Sequence, residues 1–292
     1  MEFRERWHTL FARFQSQASD AWRVQESFGD MTLIFFSDLS RSLFAAMLGL
    51  MCASGQAAPN DTEDLMNIAW EGMWHQGGSP STVRKWTEPL RVRIQGERGA
   101  GDSEVIQRSL DKISSATHLS YTLLTGEGTG ENLLIDIVKD SPLVNDSTTC
   151  VTHHKFKARG LSHATVTARN GKVWQCMLHE LAHVVGVVGH PSKGSVLTYF
   201  GGRNDELTPI DKFILSVRYS DAMPDGTLPL HALRILGRRH VQSLDDDLLQ
   251  RQAQEAVDKF LAKTLVQMED YARGGEPPTH SVQVRSLDNT SR

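Results

Sequence analysis

The chain has 292 residues, and 39% of them are hydrophobic, which is enough for one full core with length left over for tails. Its 31 basic residues are outnumbered by 35 acidic ones and are scattered along the chain, so the formal net charge is -4. This pattern lacks the basic footprint of a nucleic-acid-binding protein, and we expect no nucleic-acid partner.

A short apolar run, LFAAMLGLM, follows Arg41 and precedes ASGQAAP. This order is typical of a secretory signal peptide with small residues near a cleavage site at Ala57. We therefore expect residues 1–58 to be an upstream extension and signal peptide, and the mature protein to be secreted or periplasmic. Because the run is too short to span a bilayer comfortably, we expect no stable membrane span. Since the run lies well inside the chain, we hypothesise that translation starts at Met31; a buried amphipathic helix is the alternative.

Apolar periodicity predicts alternating helices and strands between the signal and residue 167. The expected elements are a lead-in helix and loop at 61–86, a strand at 90–96, a helix at 102–118, strands at 121–125 and 132–139, and a β-rich run at 161–167. The sequence GEGTGE joins the two middle strands with no helix after it. We therefore expect a hairpin turn there and not a phosphate-binding loop.

The segment CMLHELAHVVGVVGH contains the HExxH signature of zinc sites. Residues four apart on a helix share a face, so His179 and His183 can present two imidazoles to one ion. Glu180 is close to the same ion, where it can take a proton from water. Gly186 can end the helix and turn the chain back, which lets His190 supply a third nitrogen. The alternative is an amphipathic helix whose histidines form hydrogen bonds in the core.

Removal of the signal leaves Cys150 and Cys176, an even number for an oxidising compartment, and we predict a disulfide between them. It would connect a loop before the strand at 161–167 to the start of the motif helix. The alternative is that Cys176, three residues before His179, is a metal ligand.

The segment HELAHVVGVVGH resembles the metzincin metallopeptidase signature HExxHxxGxxH. The segment SVLTYF, 195–200, resembles the turn written SxMxY, and LTPIDKFILSVRYS, 207–220, is similar to the closing helix of that superfamily. The resemblance implies an α+β fold, in which a mixed twisted sheet accompanies an active-site helix carrying HExxH and a closing C-terminal helix. It also implies zinc (Zn2+) as cofactor, with Glu180 as the catalytic base and three histidine ligands.

The chain departs from the metzincin pattern at two positions. His190 falls one residue later than the third histidine of the family, and Gly189 could let the loop bulge by that residue. Leu197 stands where the turn has methionine, a swap of similar volume. Tyr199 matches a tyrosine that binds the metal or stabilises the oxyanion, with a core or surface aromatic as the alternative. Asp211 matches an acidic residue that braces the turn, and it also suits the first turn of a helix.

A second resemblance is to a bacterial family of secreted, largely uncharacterised proteins. It is carried by WTEPLRVRI at 86–94, Cys150, Cys176, the motif helix and the run from Asn204 through RYSDAMPDGT. Many members carry HExxQ, with Asn-Asp in place of the last histidine. This chain keeps all three histidines, which favours a working metal site.

The sequence therefore predicts a secreted or periplasmic zinc-dependent metallopeptidase that hydrolyses peptide bonds with zinc-activated water. Its domain, 59–240, is expected to be followed by an amphipathic helical extension at 241–273 and a disordered tail at 274–292. We expect a protein or peptide substrate to pair, as an added strand, with an exposed edge strand at 161–167.

Two alternatives remain at this stage. The protein could be a non-catalytic zinc-binding or interaction module of the cell envelope derived from a peptidase. It could also have a gluzincin-type site with Glu206 as third ligand. The sequence leaves the substrate and the oligomeric state open.

Overall fold

The computed structural model describes residues 61–75, 79–126, 130–139, 141–145, 148–157, 160–198 and 205–275. The predicted signal peptide at 1–58, Tyr199 and almost all of the predicted tail at 274–292 lie outside them. The chain divides into two compact units, of which the first comprises 1–56 and 268–276 and the second 57–267 and 277–292. The described strands and helices lie in the second unit, apart from the last residues of the final helix.

The described part of the second unit combines a five-stranded mixed sheet with helices, which confirms the α/β mixture expected of an α+β fold. In chain order the elements are α1 (Thr62–Glu71), β1 (Trp74–His75), β2 (Ser79–Pro80), β3 (Leu90–Gly96), α2 (Asp102–Thr117), β4 (Tyr121–Leu123), β5 (Leu133–Val138), β6 (Cys150–Phe156), β7 (Leu161–Arg169), α3 (Val173–Val184), α4 (Pro209–Tyr219), α5 (Pro229–Gln242) and α6 (Asp247–Ala272).

The large sheet has the strand order β4-β3-β5-β7-β6. Its first four strands are parallel, and β6 runs antiparallel to β7. Alternate residues of β5 are buried, namely Leu133, Ile135 and Ile137, as period-two alternation requires of a strand with one face in the core. The helices α2 and α3 pack against each other, and their apolar residues share one core with the sheet.

The prediction of an edge strand at 161–167 is wrong in its position within the sheet. The strand is present as β7, but it pairs with β5 on one side and β6 on the other. The strand at this edge of the sheet is β6, which falls in a segment expected to be a loop, and β4 lies at the opposite edge. Its sequence, CVTHHKF, is mostly polar and only Cys150 of the strand is buried, so the strand lacks the apolar alternation by which strands are recognised.

The predicted hairpin between residues 121 and 139 is also wrong. The strands β4 and β5 do not pair; each is parallel to β3, on opposite sides of it. Val92 of β3 pairs with the last residue of β4, Leu123, and with the first residue of β5, Leu133. Since β5 begins at the level of β3 where β4 ends, two parallel strands can follow each other here without a crossover helix.

Three helices, α4, α5 and α6, follow the site in the chain. The expected closing helix is present as α4, where Thr208 caps the N-terminus by accepting from the backbone amide of Asp211. The helix α5 was not expected from the sequence. Gly237 of α5 lies so close to Val257 of α6 that an added Cβ would come within 2.5 Å of a valine methyl, so α6 packs on the domain. None of the described helices is both long and apolar enough to cross a membrane.

Cys150 and Cys176 form the predicted disulfide, with Cα atoms 6.1 Å apart. The bond joins the first residue of β6, which is a strand and not the expected loop, to the first half of α3. Because the sulfur of Cys176 is used in this bond, the alternative that it is a metal ligand is excluded.

The disulfide closes a segment with a sequence separation of 26 residues, and its removal should lower the free energy of unfolding by about 3 kcal/mol, since the cross-link restricts the unfolded chain. Urea denaturation of a Cys150→Ala/Cys176→Ala variant measures this change. Reductant should destabilise the wild-type protein to a similar extent and leave the variant unaffected. Equal stabilities of the oxidised wild type and the variant would contradict the prediction.

Candidate metal centre

Three histidine side chains converge at the C-terminal end of α3. The Nε2 atom of His179 lies 3.2 Å from that of His183 and 3.2 Å from that of His190, and the Nε2 atoms of His183 and His190 are 3.0 Å apart. The first two share a helix face at spacing i, i+4, as predicted. The third reaches the same point after the chain turns at Gly186, whose φ is 93°.

The other ring nitrogens of the two helical histidines face backbone carbonyl groups. Nδ1 of His179 lies 3.1 Å from the carbonyl oxygen of Val196, and Nδ1 of His183 lies 2.7 Å from that of Val187. A carbonyl can only accept, so each neutral ring carries its proton on Nδ1 and points an Nε2 lone pair at the cluster.

Lone pairs at these distances repel each other unless a cation lies between them. Nitrogens at the corners of such a triangle can all lie about 2 Å from one point beside its centre, which is the usual zinc–nitrogen distance. The residues present therefore fit a metal ion, and the triad could hold one.

Burial keeps the three imidazoles neutral. Desolvation lowers the pKa of His179, lowers that of His183 well below 6.5 and lowers that of His190 to about 3. The neighbouring histidine charges act in the same direction on the last two. Because metal ions bind the deprotonated ring, the folded chain presents three ligands that are ready to bind at neutral pH.

Glu180, the predicted base, is buried beside the first ligand, with 6% of its surface exposed. Its Oε2 atom accepts a 2.6 Å hydrogen bond from the hydroxyl of Thr152 on β6. Burial raises the pKa of Glu180 to about 7, and the threonine hydrogen bond opposes that rise. A carboxyl group with this pKa can both accept and donate a proton near neutral pH.

The edge strand β6 lies along α3 and contacts it at alternate residues. Cys150 is bonded to Cys176, Thr152 contacts Glu180, and Nε2 of His154 donates to the carbonyl oxygen of His183 at 2.9 Å. Sequence reasoning missed the roles of Thr152 and His154. The only available signal was the period-two spacing of 150, 152 and 154 in a polar segment.

The turn after the third ligand is braced as predicted for Asp211. This buried carboxylate accepts from the hydroxyl of Ser195 at 2.6 Å and from the backbone amide of Val196 at 2.8 Å. The carbonyl of Val196 is the group that faces His179, so the carboxylate fixes the residue that orients the first ligand. Leu197, in the methionine position of the resemblance, is 2% exposed.

The remaining candidate residues lie elsewhere. Tyr199 is outside the described residues. Glu206 pairs with Lys112 at 2.7 Å and is not in the metal-ligand cluster, so the gluzincin-type alternative has no support. No protein-family model matches the chain, and no curated protein matches it.

The metal-free protein should lose stability as pH falls below about 6.5. A histidine whose pKa is lowered by folding binds its proton more readily in the unfolded chain, so acid favours unfolding through all three ligands. Glu180 has the opposite effect, because its pKa rises from 4.5 to about 7 on folding. Between pH 4.5 and pH 7 it releases a proton on unfolding, which cancels the proton taken up by one histidine.

Urea denaturation from pH 7 to pH 5 should show a shallower pH dependence for His190→Ala than for wild type. One proton fewer taken up on unfolding corresponds to about 1.4 kcal/mol per pH unit once the unfolded histidine is protonated. The difference between the two proteins cancels the contributions of titrating groups outside the cluster, and the loss of His190 also removes part of the pKa lowering on His183, which acts in the same direction. Parallel curves would show that His190 titrates alike in the folded and unfolded chain.

Proposed function

We propose that this protein is a secreted or periplasmic zinc metalloendopeptidase with a metzincin-like site. The observation that carries the proposal is the triangle of three Nε2 atoms, from His179, His183 and His190, with a buried carboxyl next to the first ligand. Three histidines on one ion are the ligand set of catalytic zinc sites that keep an open position.

Zinc fits this donor set better than magnesium or calcium, which prefer oxygen ligands. When bound, zinc would polarise the scissile carbonyl group and lower the pKa of water to about 7. The chain contributes the ligands, the orientation of His179 and His183 through Nδ1, and exclusion of water from the buried ring of His183.

Glu180 is the proposed general base and acid. It takes a proton from the attacking water and passes it to the leaving amine, for which a pKa near 7 is suitable. The hydroxyl of Thr152 fixes one carboxylate oxygen, which leaves the other for proton transfer. Tyr199 is proposed to stabilise the oxyanion, on its sequence position alone.

The substrate strand is proposed to bind along β6, in place of the segment at 161–167. Within the described residues β6 pairs only with β7, so its other edge offers backbone donors and acceptors to an extended peptide. The side chains of Thr152 and His154 join this strand to the metal helix, so a peptide paired there lies beside the site.

A secreted or periplasmic location is supported by the disulfide, because such bonds persist in oxidising compartments. The signal peptide with cleavage near Ala57 is part of the same proposal.

Replacing Glu180 with Gln should leave zinc bound and lower hydrolysis of dye-labelled casein by at least about 100-fold, because the amide cannot take up the proton. Zinc content by mass spectrometry and casein cleavage should be measured together. His190→Ala supplies the matched control, which should lose both zinc and activity.

Hydrolysis by Glu180→Gln at the wild-type rate would contradict the assignment of the base. Stoichiometric zinc in the wild type with no cleavage of unfolded proteins would favour a non-catalytic zinc-binding or interaction module instead.

A further inference from the structure

The loop that carries His190 is fixed to the end of α1 just before the ligand. The backbone amides of Val188 and Gly189 both donate to the carbonyl oxygen of Gly72, at 3.1 and 3.0 Å. A Cβ added to Gly189 would lie 2.0 Å from the carbonyl oxygen of Glu71, so only glycine allows this close approach. The loop backbone therefore contacts the α1 backbone directly.

The same loop is fixed to α1 again just after the ligand. Glu71, the last residue of α1, accepts from the backbone amide of Ser192 at 2.5 Å through Oε2 and from its hydroxyl at 3.2 Å through Oε1. Only 5% of Glu71 is exposed. A buried carboxylate needs such donors, and charge-assisted bonds of this kind are stronger than neutral ones. Nothing in the proposed chemistry uses this carboxylate.

The start of the loop is fixed by a second buried charge. Arg218 of α4 donates to the carbonyl oxygens of Gly186 and Arg84. Gly186 in turn approaches Arg84 so closely that a Cβ would lie 2.1 Å from its carbonyl oxygen. The loop from 186 to 192 is thus held at both ends by charged side chains from other helices.

The contacts of the loop 186–192 with α1 and Arg218 restrict a loop that is longer than in the motif it resembles. The spacing from Gly186 to His190 is one residue longer than in the motif it resembles, and a longer loop has more conformations that point the ring away from the other ligands. We propose that Glu71 is a positioning residue for the third metal ligand, acting with the glycine at 189 to seat the loop on α1. This inference rests on the metal binding in the proposed function and is independent of hydrolysis.

Zinc affinity tests the inference directly. The variants Glu71→Ala and Glu71→Gln are compared with Glu63→Gln, which removes the same charge from an exposed position on α1. Competition with a chelating dye gives the zinc dissociation constant, and the melting temperature is measured with and without zinc. Glu71→Ala should bind zinc about 10- to 100-fold more weakly, the usual effect of removing a group that supports a metal ligand.

Glu71→Gln should stay close to wild type, because its amide oxygen can still accept from Ser192. Glu63→Gln should bind as wild type does. A merely structural role for Glu71 would lower the melting temperature of the metal-free protein and leave its zinc affinity, and hence the zinc-induced rise in melting temperature, unchanged.

Gly189→Ala provides a second test if Glu71→Ala does not fold. The added methyl group displaces the loop from α1 without changing any charge, so it should weaken zinc binding to a similar extent. Wild-type zinc affinity in Gly189→Ala and in Glu71→Ala, if it folds, would overturn the inference and leave the proposed function intact. A wild-type protein that binds no zinc would overturn both.

Discussion

The site depends on the packing that holds the rings of His179, His183 and His190 together, with the Nε2 lone pairs of the first two facing the cluster. Each Nε2 atom faces the other two at 3.0 to 3.2 Å. Burial lowers the pKa of His179 and His183, so at neutral pH neither ring carries a second proton and their facing lone pairs repel each other. The packing of the folded chain must therefore offset this repulsion, and a bound cation would remove it.

That energy comes from elements far apart in the sequence. The helix α3 fixes two rings by its own geometry, while Asp211 fixes the carbonyl of Val196 that orients one of them. The third ring depends on the loop between α3 and the turn, which lies against α1. Histidines whose second ring nitrogen has a fixed hydrogen-bond partner would lose little conformational entropy on binding a metal ion, which favours tight and selective coordination.

The edge strand β6 connects the site to the surface. One set of alternate residues bonds to α3, through Cys150, Thr152 and His154, while its outer edge has no partner strand within the described part of the sheet. The disulfide and the two hydrogen bonds hold the strand in register with the helix. A peptide bound at this edge, as in the proposed function, would be aligned with the three histidines by backbone pairing, which would give affinity with little sequence preference.

The sequence by itself determined the local features of this protein. The shared face of His179 and His183, the turn at Gly186 and the pairing of Cys150 with Cys176 follow from helix periodicity, glycine conformation and cysteine count. Only the tertiary structure decided that β6 lies at the edge beside β7, that β4 and β5 flank β3, that Glu71 contacts the loop carrying His190, and that Thr152 contacts Glu180. These features depend on pairing between residues that are far apart in the chain. A polar strand gives little apolar periodicity by which to recognise it, and the sequence of a strand does not specify which neighbour it pairs with.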